Sequence, residues 1–282
     1  MNLPNFSDKK MSQRIKRAFL DTEDGQILYR IGGEGEPILL LHMTPRSSDE
    51  FKELMPILAD KHLVIAMDLM GLGDSDKPPR VYSVADYAKT AIALLDELGI
   101  QKTSIFGSLT GAYIAGEFAA AYPNRVDKLI LCNVIGFDAE EQDIIIKRYS
   151  QGYHIKEDGS HLMEQWLSRI NYIGNGELNH RCVLDDLKCF GSPIYPGLAA
   201  GNYFLLAEER FRLIKCPTLI LSGEKALEPL EKYSLAKADN QSWTQKVIPH
   251  SQRVELEGGT LWMVNQMAAE IFKIVDDFLE KD

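Results

Sequence analysis

The sequence predicts an α/β protein in which a mostly parallel central sheet carries helices on both faces and a helical cap is inserted into it. Three observations lead there. Short, continuous apolar runs alternate with segments of helical period through the first half of the chain and again near its end, the pattern of strands covered on both sides. Residues 102–122, KTSIFGSLTGAYIAGEFAAAY, read as a buried strand, a tight turn with glycines four apart, and a helix with a small-residue face. From about Gly136 to Lys215 the apolar runs stop, and helix-like segments follow one another between Gly and Pro breaks.

In chain order, residues 1–17 are polar and basic and are expected to be an N-terminal extension. Ala18–Thr22 and Gln26–Ile31 flank the turn signal Glu23-Asp24-Gly25 and form a hairpin. Pro37–Leu41 is an apolar strand ending in His42-Met43-Thr44-Pro45. Ser47 or Ser48 caps a helix through Leu58, and Leu63–Met67 is the next strand. Ser83 with Asp86 makes a capping pair for a helix to Leu98. Lys128–Cys132 follows as a strand. The domain reading is therefore 18–135 for the first part of the core, 136–215 for the cap and 216–282 for the rest of the core. In that last part Thr218–Leu221 and Val254–Leu256 are strands, Glu228–Lys237 is a helix, and an amphipathic helix carries Met267, Ile271, Ile274, Val275 and Phe278.

Bulk properties narrow the function classes. The chain has 282 residues, 45% hydrophobic and 26% charged, as in ordinary soluble globular proteins. A formal charge of −10 argues against nucleic acid or an anionic membrane as partner. No apolar run reaches the length of a membrane span or a secretory leader, so the expected location is the cytoplasm. The four cysteines, Cys132, Cys182, Cys189 and Cys216, show no metal-type spacing and read as buried thiols. The loop after the second buried strand lacks a G-x-G-x-x-G opening a helix, so neither a dinucleotide nor any other cofactor is expected. A small-molecule ligand is the expected partner, with self-association left open.

Several ordered motifs then point one way. Gly107-Ser108-Leu109-Thr110-Gly111 has the strand–turn–helix setting of the nucleophile elbow G-x-S-x-G. With LLLHMTP, AMDLMGLGDSDKP, AAAYPNRVDKLIL and CPTLILSGE in register, the chain from Ala18 onward resembles the α/β-hydrolase fold family, in its helical-cap branch of epoxide hydrolases, haloalkane dehalogenases and carbon–carbon hydrolases. The resemblance implies a nucleophile at Leu109, an acid at Ala226 and a histidine at Leu261. None of the three side chains handles a proton, so Ser-His-Asp hydrolysis is not expected.

What remains is a pocket between core and cap, lined by His42, Met43, Thr44, Leu109, Thr110, Asn133, Trp166, Ala226, Leu261 and Trp262. His42 is the candidate chemical group, although the resemblance also gives it a bracing role. Backbone N–H groups of Thr44 and Thr110 are expected to form an oxyanion hole. The leading expectation is non-hydrolytic chemistry of lyase, isomerase or cyclase type on a small, largely apolar metabolite. Two others stand beside it. One is a binding or regulatory pseudo-enzyme. The other is a hydrolase with relocated groups, pairing His42 or a cap histidine (His154, His161) with Glu224 or Glu228.

Overall fold

The computed structural model describes residues 15–152, 154–188, 195–231 and 238–281. β1 (Lys16–Thr22) and β2 (Gly25–Gly32) form the antiparallel hairpin that the turn signal predicts, with β1 starting inside the expected extension. β3 (Pro37–Leu41), β4 (Leu63–Met67), β5 (Thr103–Ser108), β6 (Val126–Cys132), β7 (Thr218–Gly223) and β8 (Gln252–Leu256) complete one eight-stranded sheet. Its order is β1-β2-β4-β3-β5-β6-β7-β8; β2 meets β4 antiparallel, and every later pair is parallel.

The apolar runs are split between two faces by the strand period of two. Leu39, Leu41, Ile65, Met67, Ile105, Leu129 and Leu131 pack on one face with α2 (Val84–Glu97) and α3 (Thr110–Ala121). Ile38, Leu40, Val64, Ala66, Phe106 and Ile130 pack on the other with α1 (Leu54–Leu58) and α11 (Ala268–Leu279), the latter numbered in advance of the helices between. Ser83 and Asp86 form the capping box of α2. The helix expected from Ser47 to Leu58 is divided: a 3-10 turn over Ser48–Phe51, capped by Ser47, precedes the short α1.

Between β6 and β7 the described residues form α4 (Ala139–Gln151), α5 (Ser160–Ile173), α6 (Gly176–Leu187) and α7 (Tyr195–Phe211). After β7 come α8 (Glu228–Glu231) and α9 (Ala238–Val247); α10 (Met263–Gln266) leads into α11. The expected helix Glu228–Lys237 is described only to Glu231, since 232–237 lie outside the described residues. Cys189 also lies outside them, while Cys132, Cys182 and Cys216 are free thiols. α9 escapes the sequence reading because ADNQSWTQKV has no apolar stripe.

The central turn is fixed by close backbone contact. A Cβ on Gly111 would stand 2.0 Å from the Leu41 carbonyl oxygen, and one on Gly107 would stand 2.6 Å from Ala112 Cα. Neither neighbour is a side chain that can swing away. Gly111→Ala is therefore expected to cost about 3 kcal/mol. Gly174→Ala, with φ +64 but nothing within 4 Å of the added methyl, is expected to cost about 1 kcal/mol. Urea unfolding of the two variants checks the difference; equal losses would show that the β3–α3 contact is not the constraint.

Candidate functional site

Leu109 occupies the turn between β5 and α3 with φ 44 and ψ −107, a conformation that costs an L-residue about 1–3 kcal/mol. The glycines on either side let β5 and α3 approach closely enough to impose it. The turn therefore presents Leu109 at the carboxyl end of the central strand, where sites in open α/β sheets lie. The other two positions converge there. Ala226 follows β7, Leu261 follows β8, and both fall with Met43, Ile173, Cys182 and Trp262 into one buried apolar cluster against which Leu109, Tyr172 and Leu178 pack. These side chains are shielded from solvent: Met43, Ala226, Leu261 and Trp262 are each no more than 7% exposed, and Leu109 is half-buried.

His42 is fully buried, and both of its ring nitrogens are engaged. Nε2 accepts the Leu69 N–H at 2.9 Å, and Nδ1 lies 2.9 Å from the Met43 carbonyl oxygen, to which it donates. Burial lowers its pKa and keeps the ring neutral. The structure thus gives this imidazole the bracing role, with no nitrogen left for a reacting proton. Asn133, left-handed at φ 52, spends its amide on backbone as well: Oδ1 accepts from Gly223 N–H at 2.9 Å, and Nδ2 donates to the Thr260 carbonyl at 3.1 Å. It ties the ends of β6, β7 and the loop after β8 together instead of lining the cluster. Trp166 is half-buried on α5, beside Gly176, and is not among the cluster residues. His154 and His180 are exposed, and His161 is half-buried with Nδ1 accepting the Lys156 N–H. Glu224 caps the Gly258 N–H at 2.7 Å and Glu228 is exposed, so no imidazole meets either carboxylate among the described residues.

The expected donors are present. Met43 N–H is taken by Glu50 Oε2 at 2.7 Å, whose other oxygen accepts the Ser108 hydroxyl at 2.7 Å. The N–H groups of Thr44 and Thr110 have no hydrogen-bond partner among the described residues. Asp68 holds its loop, accepting the N–H groups of Ser48 and Asp74.

A buried polar lattice, which the sequence did not signal, joins core to cap. Arg46, 1% exposed, donates through Nε to Asp185 at 3.0 Å and through Nη1 to Cys182 Sγ at 3.1 Å and Asn265 Oδ1 at 3.2 Å. Ser47 Oγ donates to Asp185 at 2.9 Å, and Arg181 reaches Asp49 and Glu53. Beside the cluster an open cleft of about 460 Å³ is lined by Tyr172, Lys225, Glu228, Glu257, Thr260 and Gln266. Tyr172 stands between cleft and cluster, stacked on Trp262 with ring centroids 6.1 Å apart.

Two expectations follow for stability. Arg46→Ala leaves Asp185 buried without its guanidinium partner and is expected to cost about 3–5 kcal/mol. Replacing Arg46 by Met and Asp185 by Leu together should cost clearly less; denaturant unfolding of single and double variants tests this. The second concerns pH. Unfolded histidine titrates near about 6.5, and folded His42 lies below that, so the unfolded state binds the extra proton in the window between. The His42 contribution is complete above about pH 6.5 and falls on acidification through the window. An NMR titration showing a His42 ring that protonates above 6.5 would contradict it.

With the site's geometry established, the chain's relatives can be placed. A family model described as the alpha/beta hydrolase fold matches residues 36–155. The cis-3-alkyl-4-alkyloxetan-2-one decarboxylase of Shewanella oneidensis is 32% identical over 303 aligned residues, covering 94% of this chain and 88% of that one. A soluble epoxide hydrolase of a Corynebacterium species is 38% identical over 109 residues, 38% of this chain and 37% of its own length. An uncharacterized protein of Mycobacterium tuberculosis is 42% identical over 108 residues; the match spans 32% of that relative's length. Among solved structures, E-2-(acetamidomethylene)succinate hydrolase superimposes with a TM-score of 0.76 at 22% identity, over 95% of this chain and 100% of that one. No helix among the described residues is long and apolar enough to cross a membrane. By fold, by family model and by a relative matched along nearly its whole length, the chain belongs to the α/β-hydrolase fold family.

Proposed function

We propose that this protein receives a small, largely apolar molecule between core and cap and acts on it without a Ser-His-Asp triad, by non-hydrolytic chemistry of the lyase type. One observation carries the reading: Leu109, Ala226 and Leu261, the three positions that would hold nucleophile, acid and base, fall into a single apolar cluster. A hydrolytic acyl-enzyme route needs a hydroxyl, thiol or carboxylate at the turn and an imidazole within about 3 Å. Leucine at the turn offers neither nucleophile nor proton acceptor, and His42 is spent on backbone.

The relative of matching length supports the reaction class. By its name it decarboxylates an oxetan-2-one bearing two alkyl groups. Loss of CO2 from such a ring breaks the bond from the ring oxygen to its alkylated carbon and the bond from the carbonyl carbon to its alkylated neighbour. The electron pair of the latter becomes the alkene π bond, and that of the C–O bond leaves with CO2. No water is consumed and no proton is transferred. The departing carboxyl gathers negative charge as the C–O bond opens, and that charge is what the free N–H groups of Thr44 and Thr110 can stabilise. The apolar cluster suits the alkyl chains, and the cleft beside Tyr172 supplies the route in.

Incubation with an activated fluorophosphonate and with nitrophenyl esters should give neither stoichiometric labelling nor turnover above background. Incubation with a cis-3,4-dialkyl-oxetan-2-one should release CO2 and the alkene. Labelling of the wild-type chain would restore a hydrolase with relocated groups. Retention of the intact lactone without CO2 would assign the protein to the binding or regulatory reading.

A further inference from the structure

Not every atom at the apolar cluster is apolar. Trp262 is 6% exposed and Thr44 is 7% exposed, yet neither the indole Nε1 nor Thr44 Oγ1 has a hydrogen-bond partner among the described residues. Buried polar side chains almost always have one, and leaving a group unpaired carries its full desolvation cost. Nothing about packing demands these groups. The ring of Trp262 contributes its area to the cluster and its stack on Tyr172, both of which an aromatic ring without an N–H would also provide. Thr44 follows Met43, itself a cluster residue, so its hydroxyl belongs to the same end of the sheet.

The surroundings specify what would pair with them. The nearby acceptors are already taken. Both oxygens of Glu50 accept, from Met43 N–H and the Ser108 hydroxyl, and both oxygens of Asp185 accept from Arg46 and Ser47. A ligand hydroxyl or amine would find no carboxylate free. Charge argues equally against an anion. Against the buried guanidinium of Arg46 stand Asp49, Glu50 and Asp185.

Resting on the reading that the cluster is a ligand site, we infer that the ligand carries an uncharged oxygen acceptor, as in a ketone, ester or lactone carbonyl, and that Trp262 Nε1 and Thr44 Oγ1 donate hydrogen bonds to it. Both are positioning residues. They select apolar molecules with one carbonyl over hydrocarbons of equal shape and over carboxylates, and each carries its unpaired donor as a standing cost while the site is empty.

Calorimetric titration with 2-pentylcyclopentanone, pentylcyclopentane and 2-pentylcyclopentane-1-carboxylate separates the claims. The ketone should bind wild type roughly 5–10-fold more tightly than the hydrocarbon, and the carboxylate should bind more weakly than the ketone. Trp262→Phe and Thr44→Val should each remove most of the ketone's advantage and leave hydrocarbon affinity unchanged. Their melting temperatures should equal or exceed that of wild type, because each loses an unpaired polar group; a purely structural role would move stability and not the ligand ratio. Should ketone and hydrocarbon bind wild type equally, the inference is overturned and the apolar site stands. A carboxylate preferred over the ketone overturns the uncharged class. Failure of all three compounds to bind wild type overturns the site reading together with the inference. If Trp262→Phe does not fold, the wild-type ratio and Thr44→Val decide.

Discussion

The structure depends on one tight place: the turn at Leu109, where α3 leaves β5 with its backbone pressed against the end of β3. The contact sets a distance that only Gly111 can meet, since any Cβ there would overlap the Leu41 carbonyl. It also forces a positive φ on the residue between the glycines. Everything at the site is arranged around that point. β3 ends in the loop that supplies Thr44, β7 and β8 end in the loops that bring Ala226 and Leu261, and the cap closes over them with Ile173 and Cys182. A turn of this kind serves to hold one side chain out over the sheet. Here it holds out a leucine.

The cap is secured by a different kind of force. Arg46, inside the protein, gains its partners from α6 and from α10, and Asn265 in turn donates to the Glu50 carbonyl and to Glu53. Buried ion pairs seldom add net stability over apolar packing, because both charges lose their water. What such a lattice supplies is geometry: it allows few alternative seatings of α6 on the core. Cys182, in contact with Arg46, is also a wall of the apolar cluster. The position of the cap and the shape of the site are therefore set by the same residues.

Much of this was legible from residue order. The strands declared themselves as apolar runs bounded by turn signals, and Ser83 with Asp86 marked the start of α2 correctly. The positions that the resemblance assigns to a triad, Leu109, Ala226 and Leu261, could be numbered because motifs in register fix them without any knowledge of distance. What could not be read shares a physical cause. Arg46 and Asp185 are 139 residues apart, and a charged residue in a loop gives no sign that folding will bury it against another. Asn133 and Trp166 were placed by strand end and by cap composition, which locate a residue's backbone but not the partner its side chain finds. His42 lay at the correct edge of the sheet, yet only the Leu69 N–H and the Met43 carbonyl show that both its nitrogens are occupied.

Two kinds of unfavourable energy coincide at the cluster. One is the backbone strain at Leu109, the other the unpaired donors of Trp262 and Thr44. They are independent in origin, one torsional and one electrostatic, and each has a simple escape. Glycine at 109 would relax the turn, phenylalanine at 262 would remove the indole N–H, and valine at 44 would remove the hydroxyl. Other unpaired buried atoms occur among the described residues, on His62 and Thr244 and, close to the cluster through Cys182, on Arg46 Nη2. Strain and unpaired donors held together in one place are what a ligand site would show, because a bound molecule supplies partners that the protein does not. Under the proposed reading, apolar side chains at Leu109, Ala226 and Leu261 therefore fit a changed chemistry better than an abandoned site.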